Sequence, residues 1–479
     1  MDGMNFIDGR FVAPVAGRLR DVVCPSDGTV FARIAQSDAA DIDHAVRSAR
    51  AAFDTGPWPR TEPKERGRVL ARMAALILRE HEALAQLDAR DVGKLVTSTR
   101  FDVTILARYF EYYGGIVDKF GGDQIPLEAG ITALTFREPL GVVGGIIPWN
   151  SPTQMFGRVC SPALAMGNTV VLKPAEDACL AVLRLAELAI EAGLPPGALN
   201  VITGTGPEAG AALSAHPMLD FISFTGSPQT ATLVQRAAAE HHVGVTLELG
   251  GKSPHIVFAD ADLAKAVPVI TNSIIVNSGQ TCVAGSRLLV QESRLDEVAA
   301  AFARHFGTIV AGSHDSGADL GPLITLNACN RVNGIIAQAK ADGVPVIAHG
   351  VLDRSSPGAG YYVVPHLFGP VPRDHLLARD EIFGPVLSLL TFTDEDDAIA
   401  LAEDTKFGLA AAVWTQDVGR AFRVARRIRA GQVYVNGYGA GGGVELPFGG
   451  FKKSGFGREK GVEALHEFSA TKTVIFTHG

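Results

Sequence analysis

The apolar positions of the chain change rhythm along its length. Over residues 41–53 and 62–91 they recur at helical spacing, and Leu70, Met73, Leu76, Ile77, Leu84 and Leu87 share one face of the second stretch. A third helical segment is expected at about 97–115. The run "KFGGDQIPLEAG" then breaks the pattern, and "ITALTFREP" alternates as an extended arm would. From residue 140 the apolar runs become short and β-branched: "GVVGGII" (141–147), "TVVLK" (169–173), "LNVI" (199–202), "FISF" (221–224), "VTLEL" (245–249) and "HIVF" (255–258). Helix-sized segments rich in Ala and Leu separate them. Strand and helix in alternation predict a parallel sheet covered on both faces, and right-handed crossovers place the strand C-ends along one edge, where ligands bind.

After about residue 262 a second αβ alternation begins with "SRLLV" and "EVAAAFARHFGTIV" and continues through "VPVIAHG", "PVLSLLTF" and "AAAVWT". "RAFRVARRIRA" (420–430) is a basic helix closed by Gly431. It reads as a solvated face with Phe422, Val424 and Ile428 turned inward, in preference to a phosphate patch. The glycine-rich "NGYGAGGGVELPFGG" (436–450) is expected to be a long surface loop, and "TKTVIF" a final strand.

Composition narrows the classes. A chain of 479 residues suggests two or three domains, and 47% hydrophobic residues can fill their cores. The net charge of −8 argues against nonspecific nucleic-acid binding. No apolar run approaches bilayer length, so no membrane span is expected, and no secretory signal is expected from the N-terminal residues. The five cysteines include no C-x-x-C pair, and no HExxH is present, so neither a disulfide framework nor a metal site is expected; the usage fits a cytoplasmic protein.

Candidate chemistry lies at the strand ends. Lys173 closes "TVVLK", with Glu176 three residues on. The pair can hold ribose hydroxyls, or be an ordinary surface ion pair. "FISF" leads through Gly226 to Ser227 and Pro228, a good helix cap and first turn, and that helix start is an anion site with or without a ligand. Gly206 belongs to a G-x-G-x-x-x-G spacing that departs by one residue from the dinucleotide fingerprint. Glu248, before Gly250 and Gly251, is a candidate general base, and Asn150, after Trp149, a candidate oxyanion donor. Cys282, in "NSGQTCVAGSR", is either a nucleophile or a small buried thiol. Were it to start a helix, its pKa would fall and its own N–H would face an oxyanion.

Taken in order, "PWN" (148–150), "KPAE" (173–176), "FTGS" (224–227), "ELGGKSP" (248–254), "GQTC" (279–282), "EIFGPV" (381–386) and "PFGGFKKSG" (447–455) resemble the aldehyde dehydrogenase superfamily over essentially the whole chain. The resemblance implies an α/β fold with a Rossmann-type NAD domain (1–120 and 140–250), a catalytic domain (251–468) and a small β oligomerisation arm (121–139 and 469–479), assembled as a homodimer or homotetramer. It implies that Cys282 attacks an aldehyde, that Asn150 and the Cys282 N–H hold the oxyanion, and that Glu248 activates water against the resulting thioester. Trp149, Lys173, Glu176, Gly206, Gly226, Ser227, Glu381 and Phe383 become cofactor contacts. Glu176 favours NAD over NADP, because a carboxylate there opposes a 2′-phosphate.

The departures bear on substrate. Ser151 replaces an aromatic, and Val159 replaces a common lysine. Arg158 stands where succinate-semialdehyde dehydrogenases carry a carboxylate-gripping arginine, but Val276 replaces their second one. Arg158 therefore binds a substrate carboxylate or pairs with a nearby acid, and Thr281 and Val283 are expected to face the substrate, a semialdehyde or an aromatic aldehyde. Glu248 argues against a coenzyme-A-acylating enzyme, which typically lacks it. Cys282, Glu248, Asn150 and Lys173 together argue against a non-catalytic binding protein.

Overall fold

The computed structural model describes residues 3–439 and 443–478. Two sheets organise it. In the first, the strands Leu199–Val201, Thr169–Pro174, Val142–Ile147, Phe221–Thr225 and Gly244–Glu248 run parallel in that spatial order. The earliest of these in the chain, Val142–Ile147, lies in the middle, so the winding reverses between it and Phe221–Thr225. That is the topological switch point of a doubly wound fold. The strands are buried almost throughout because helices cover both faces, which is why they read as continuous apolar runs.

Antiparallel strands finish both edges of this sheet: Asn5–Ile7 with Arg10–Val12 on one side, and Gly455–Phe456 on the other. The N-terminal pair, and a second hairpin of Leu19–Val23 and Val30–Ala35, fall outside the sequence reading. Their runs are only three to six residues long. "HIVF", grouped above with the first sheet, belongs to the second. Pro254–Val257 pairs in parallel with Arg287–Gln291 and with Ala410–Trp414. Val386–Phe392, His366–Phe368, Val346–His349 and Gln432–Val435 complete that sheet.

The helices follow their apolar stripes. The expected helix at 62–91 is two, Pro63–Arg79 and His81–Val92, broken at Glu80. The basic helix spans Val418–Arg427, and one inward assignment on it is corrected. Val424 and Ile428 are buried, but Phe422 is 68% exposed, and Ala421 occupies the inner face instead. Helical spacing identifies a face without saying where its neighbours lie. Residues 131–139 and 469–477 form a long antiparallel pair, Ile131 opposite Thr477 and Pro139 opposite Ser469, with Gln124–Ile125 alongside. Ala440–Gly442, within the expected glycine-rich loop, lie outside the described residues. Among the described residues no helix is long and apolar enough to cross a membrane.

Candidate active site

The segment carrying Cys282 is built by its backbone. The helix Leu263–Ile275 ends at Val276, and Asn277, Ser278 and Gly279 then take left-handed conformations (φ 48°, 56° and 74°). A Cβ on Gly279 would lie 2.2 Å from the Gly384 carbonyl oxygen, so only glycine fits there. Buried amides fasten the turn. Asn150 Nδ2 donates to the Gln280 carbonyl at 2.9 Å, Asn277 Nδ2 donates to the Asn150 carbonyl at 2.9 Å, and the Gln280 side chain bridges Asn277 and the Ile324 N–H. Asn150 and the Cys282 segment are thereby one hydrogen-bonded unit, 130 residues apart in sequence.

Cys282 lies in a turn and does not begin a helix. The conditional expectation of a lowered thiol pKa is accordingly not met: burial pushes the thiol up to about 12, with the Arg158 guanidinium pulling the other way. The other four cysteines are buried.

Glu248 ends its strand 2% exposed, with both carboxyl oxygens buried and without a hydrogen-bond partner among the described residues. Burial, reinforced by the nearby Glu459 carboxylate and opposed by Arg158, holds it well above the usual carboxylate range. The two following glycines are required by close approach. A Cβ on Gly250 would meet the Glu381 carboxylate at 2.1 Å, and one on Gly251 the Cys282 carbonyl oxygen at 2.5 Å.

At the neighbouring strand ends, Lys173, 3% exposed, reaches Glu176 at 3.1 Å. Burial alone would raise the Glu176 pKa, but the Lys173 ammonium and the backbone N–H groups of Glu176 and Gly206 bring it below the usual range, so the carboxylate is ionised. Gly206 opens a single π-helical turn and its N–H faces Glu176. Ser227, after Gly226, caps the helix Pro228–Ala239 by accepting from the Thr230 N–H. Glu381 accepts from the Gly251 N–H at 3.0 Å, and burial pushes its pKa up to about 7. Phe383, at φ 51°, packs edge-on against Trp149 with ring centroids 5.6 Å apart. These groups gather on the C-terminal edge of the first sheet and the facing edge of the second.

Beside Cys282 opens a cavity of about 740 Å³, bordered also by Asn150, Arg158, Thr281, Val283, Tyr438 and Phe448. Arg158 is buried in an ion pair with Glu459, and its guanidinium lies 4.5 Å from the centre of the Phe448 ring. The structure contains the pairing with an acid, and Arg158 also borders the cavity. Val276 also lines the cavity.

The sequence reading missed Glu459 and Lys460, the Lys94–Asp102 ion pair, and Gln154, whose Nε2 donates to Asp102 at 2.7 Å. The signal for the first two was a run of three adjacent charges, Arg458, Glu459 and Lys460, enclosed by glycines in "GFGREKG".

The sequence pattern of the Aldehyde dehydrogenase family matches residues 11–474. Aldehyde dehydrogenase family 2 member B4, mitochondrial, of Arabidopsis thaliana is 43% identical, over 98% of this chain and 87% of the relative. A Burkholderia cenocepacia protein assigned as an aldehyde dehydrogenase has a crystal structure that superposes with a TM-score of 0.98 at 53% identity, covering 99% of this chain and 100% of that one. Betaine aldehyde dehydrogenase of Staphylococcus aureus, crystallised with NAD+, superposes with a TM-score of 0.97 at 34% identity, covering 100% and 95%.

Proposed function

This chain belongs to the aldehyde dehydrogenase family and is an NAD-dependent oxidoreductase acting on aldehydes; we propose that Cys282 is its nucleophile, Asn150 its oxyanion donor and Glu248 its hydrolytic base. The observation that carries this reading is Glu248. A carboxyl group buried with both oxygens unpartnered among the described residues is costly, and such a group within the electrostatic reach of Arg158 and Cys282 fits a base waiting for water.

The residues at the sheet edges fit NAD. Lys173 and Glu176 offer a cation and an ionised carboxylate to the adenosine ribose, and Glu176 disfavours a 2′-phosphate there. The N-terminus of the helix capped by Ser227 suits a pyrophosphate. Glu381, which accepts from the Gly251 N–H, suits the hydroxyls of the second ribose, and the Trp149–Phe383 ring pair supports that reading. When bound, NAD supplies the acceptor for the hydride that leaves the aldehyde carbon.

The protein's own steps follow. The Cys282 thiol gives up its proton to solvent as its sulfur adds to the aldehyde carbon, giving a thiohemiacetal. The second N–H of the Asn150 amide, with the Cys282 N–H, stabilises its oxyanion. After oxidation a thioester joins the acyl group to Cys282. Glu248, once it has lost its own proton to solvent, takes a proton from water as that water attacks the thioester, and passes it to the departing sulfur, releasing the acid and the thiol. The high resting pKa of Glu248 makes it a strong base once ionised.

Residues 1–120 and 140–250 are assigned to cofactor binding and 251–468 to catalysis. The three-stranded arm, with Phe136, Ile475 and Phe476 exposed, supports a homodimer or homotetramer joined through it. Light scattering at micromolar concentration should read two or four copies, and a single copy would contradict the assembly. A cytoplasmic location is the accompanying proposal, supported by the cysteine usage.

The test of function is spectrophotometric. The native chain should form NADH and a carboxylic acid from aldehydes without coenzyme A. Cys282→Ala should lower the rate at least about a thousandfold. NADH formation undiminished in that variant would overturn the nucleophile.

A further inference from the structure

The side chains lining the cavity carry an unexpected sign of charge. In a chain of net charge −8, the described lining residues include three cations, Lys94, Arg158 and Lys460, and one carboxylate, Asp102. Lys94 is ion-paired with Asp102, and Arg158 with Glu459 just behind the wall. Lys460, the third of these cations, is 9% exposed, with its ammonium 5.2 Å from the centre of the Phe448 ring that Arg158 also covers.

The backbone holds this lysine at a cost. Lys460 has φ 65° and Gly461 φ 56°, and the left-handed region disfavours a long side chain. The segment is fixed there by the paired backbone bonds of Phe448 with Glu459, both 2.7 Å, and by the Gly461 N–H on the Val444 carbonyl at 2.8 Å. A glycine or asparagine would satisfy the turn more cheaply.

We propose that Lys460 is a substrate-selecting residue, its ammonium receiving the carboxylate at the far end of an aldehyde whose carbonyl lies at Cys282. This rests on the reading of Cys282 as the reacting group. Phe448 adds an apolar ring beside the ammonium, and Arg158, on the same ring, is held by its ion pair with Glu459.

The proposal has a consequence for pH. Burial, aided by Arg158 and opposed by Glu459, Cys282 and Glu248, brings the Lys460 pKa down to about 7, and Glu445 on the neighbouring loop lies within the same field. The charged form is therefore lost as pH rises through about 7. A carboxylate arriving beside it restores that form, so binding takes up a proton. Preference for acid-bearing aldehydes should fall between pH 6 and 8.

The experiment compares two linear aldehydes of equal length, one ending in a carboxylate and the other in the neutral amide, in NAD-linked turnover. At pH 6.5 the native enzyme should favour the carboxylate in kcat/KM by at least about tenfold. Lys460→Met should bring the ratio near one, and Lys460→Arg should keep the preference while flattening its pH dependence. A native ratio near one, or equal losses on both substrates in Lys460→Met, would overturn the proposal. Should the variants fold poorly, calorimetry of the native protein with NAD and the dicarboxylic acid product, in two buffers of different ionisation enthalpy near pH 7.5, decides it. Proton uptake supports the assignment and its absence overturns it. Loss of NADH formation with both aldehydes in the native enzyme would instead strike the reading of Cys282 beneath it.

Discussion

At the scale of single residues, what was legible was chemistry at the ends of regular strands. Lys173, Glu248 and Asn150 each stand within a few residues of a strand end, and a strand end can be located from its apolar run. The environment of each group was not legible. The thiol of Cys282 is raised because the surrounding protein desolvates it, a property of tertiary packing that its neighbours in sequence do not encode. Arg158 could be singled out, but its partner Glu459 lies 301 positions later and only the fold joins them. That pair also sets a stability prediction. Arg158→Met leaves the buried Glu459 carboxylate without its counter-charge, which should cost about 3–5 kcal/mol. Denaturant unfolding of native and variant chains measures it, and Arg158→Met with Glu459→Gln should recover part of the loss. A single variant as stable as the native protein would show that the pair is not an energetic unit.

Among the elements, the alternating strands and helices were read nearly in place, because strands buried on both faces leave unmistakable apolar runs. Short or irregular pieces escaped. The first two hairpins have too few residues for a period to register, and "HIVF" carries no mark of which sheet it joins. The turn before Cys282 was the least readable: neither helix nor strand pattern announces three consecutive left-handed residues. That turn is nevertheless what sets Cys282 beside Asn150. Gly279→Ala forces a Cβ against the Gly384 carbonyl in a disfavoured conformation and should cost on the order of 1–3 kcal/mol. Because the strain falls on the turn itself, kcat should drop more than the melting temperature suggests. A variant with native kcat would show that the turn does not position the thiol.

Across the whole molecule, the site is an interface between two sheets, each incomplete without the other. The first supplies Asn150, Lys173, Ser227 and Glu248 from the strand ends around its topological switch point. The second, with its preceding helix, supplies Cys282 and Glu381. The segment at 447–461 closes over both, pairing Gly455–Phe456 with the strand that carries Glu248 and bringing Phe448, Glu459 and Lys460 to the cavity. The motif order along the chain conveyed this division of labour, while the closure by a distant glycine-rich segment emerged only from the fold.

The central claim is that one buried carboxylate splits an acyl group from one cysteine. Glu248→Gln removes the base and leaves Cys282 and the cofactor edge in place. Mixed rapidly with NAD and aldehyde, this variant should release about one NADH per active site and then nearly stop. Mass spectrometry of the stalled enzyme should find the acyl group on the peptide containing Cys282. Steady turnover at the native rate, or a burst with no acyl group on that cysteine, would contradict the account.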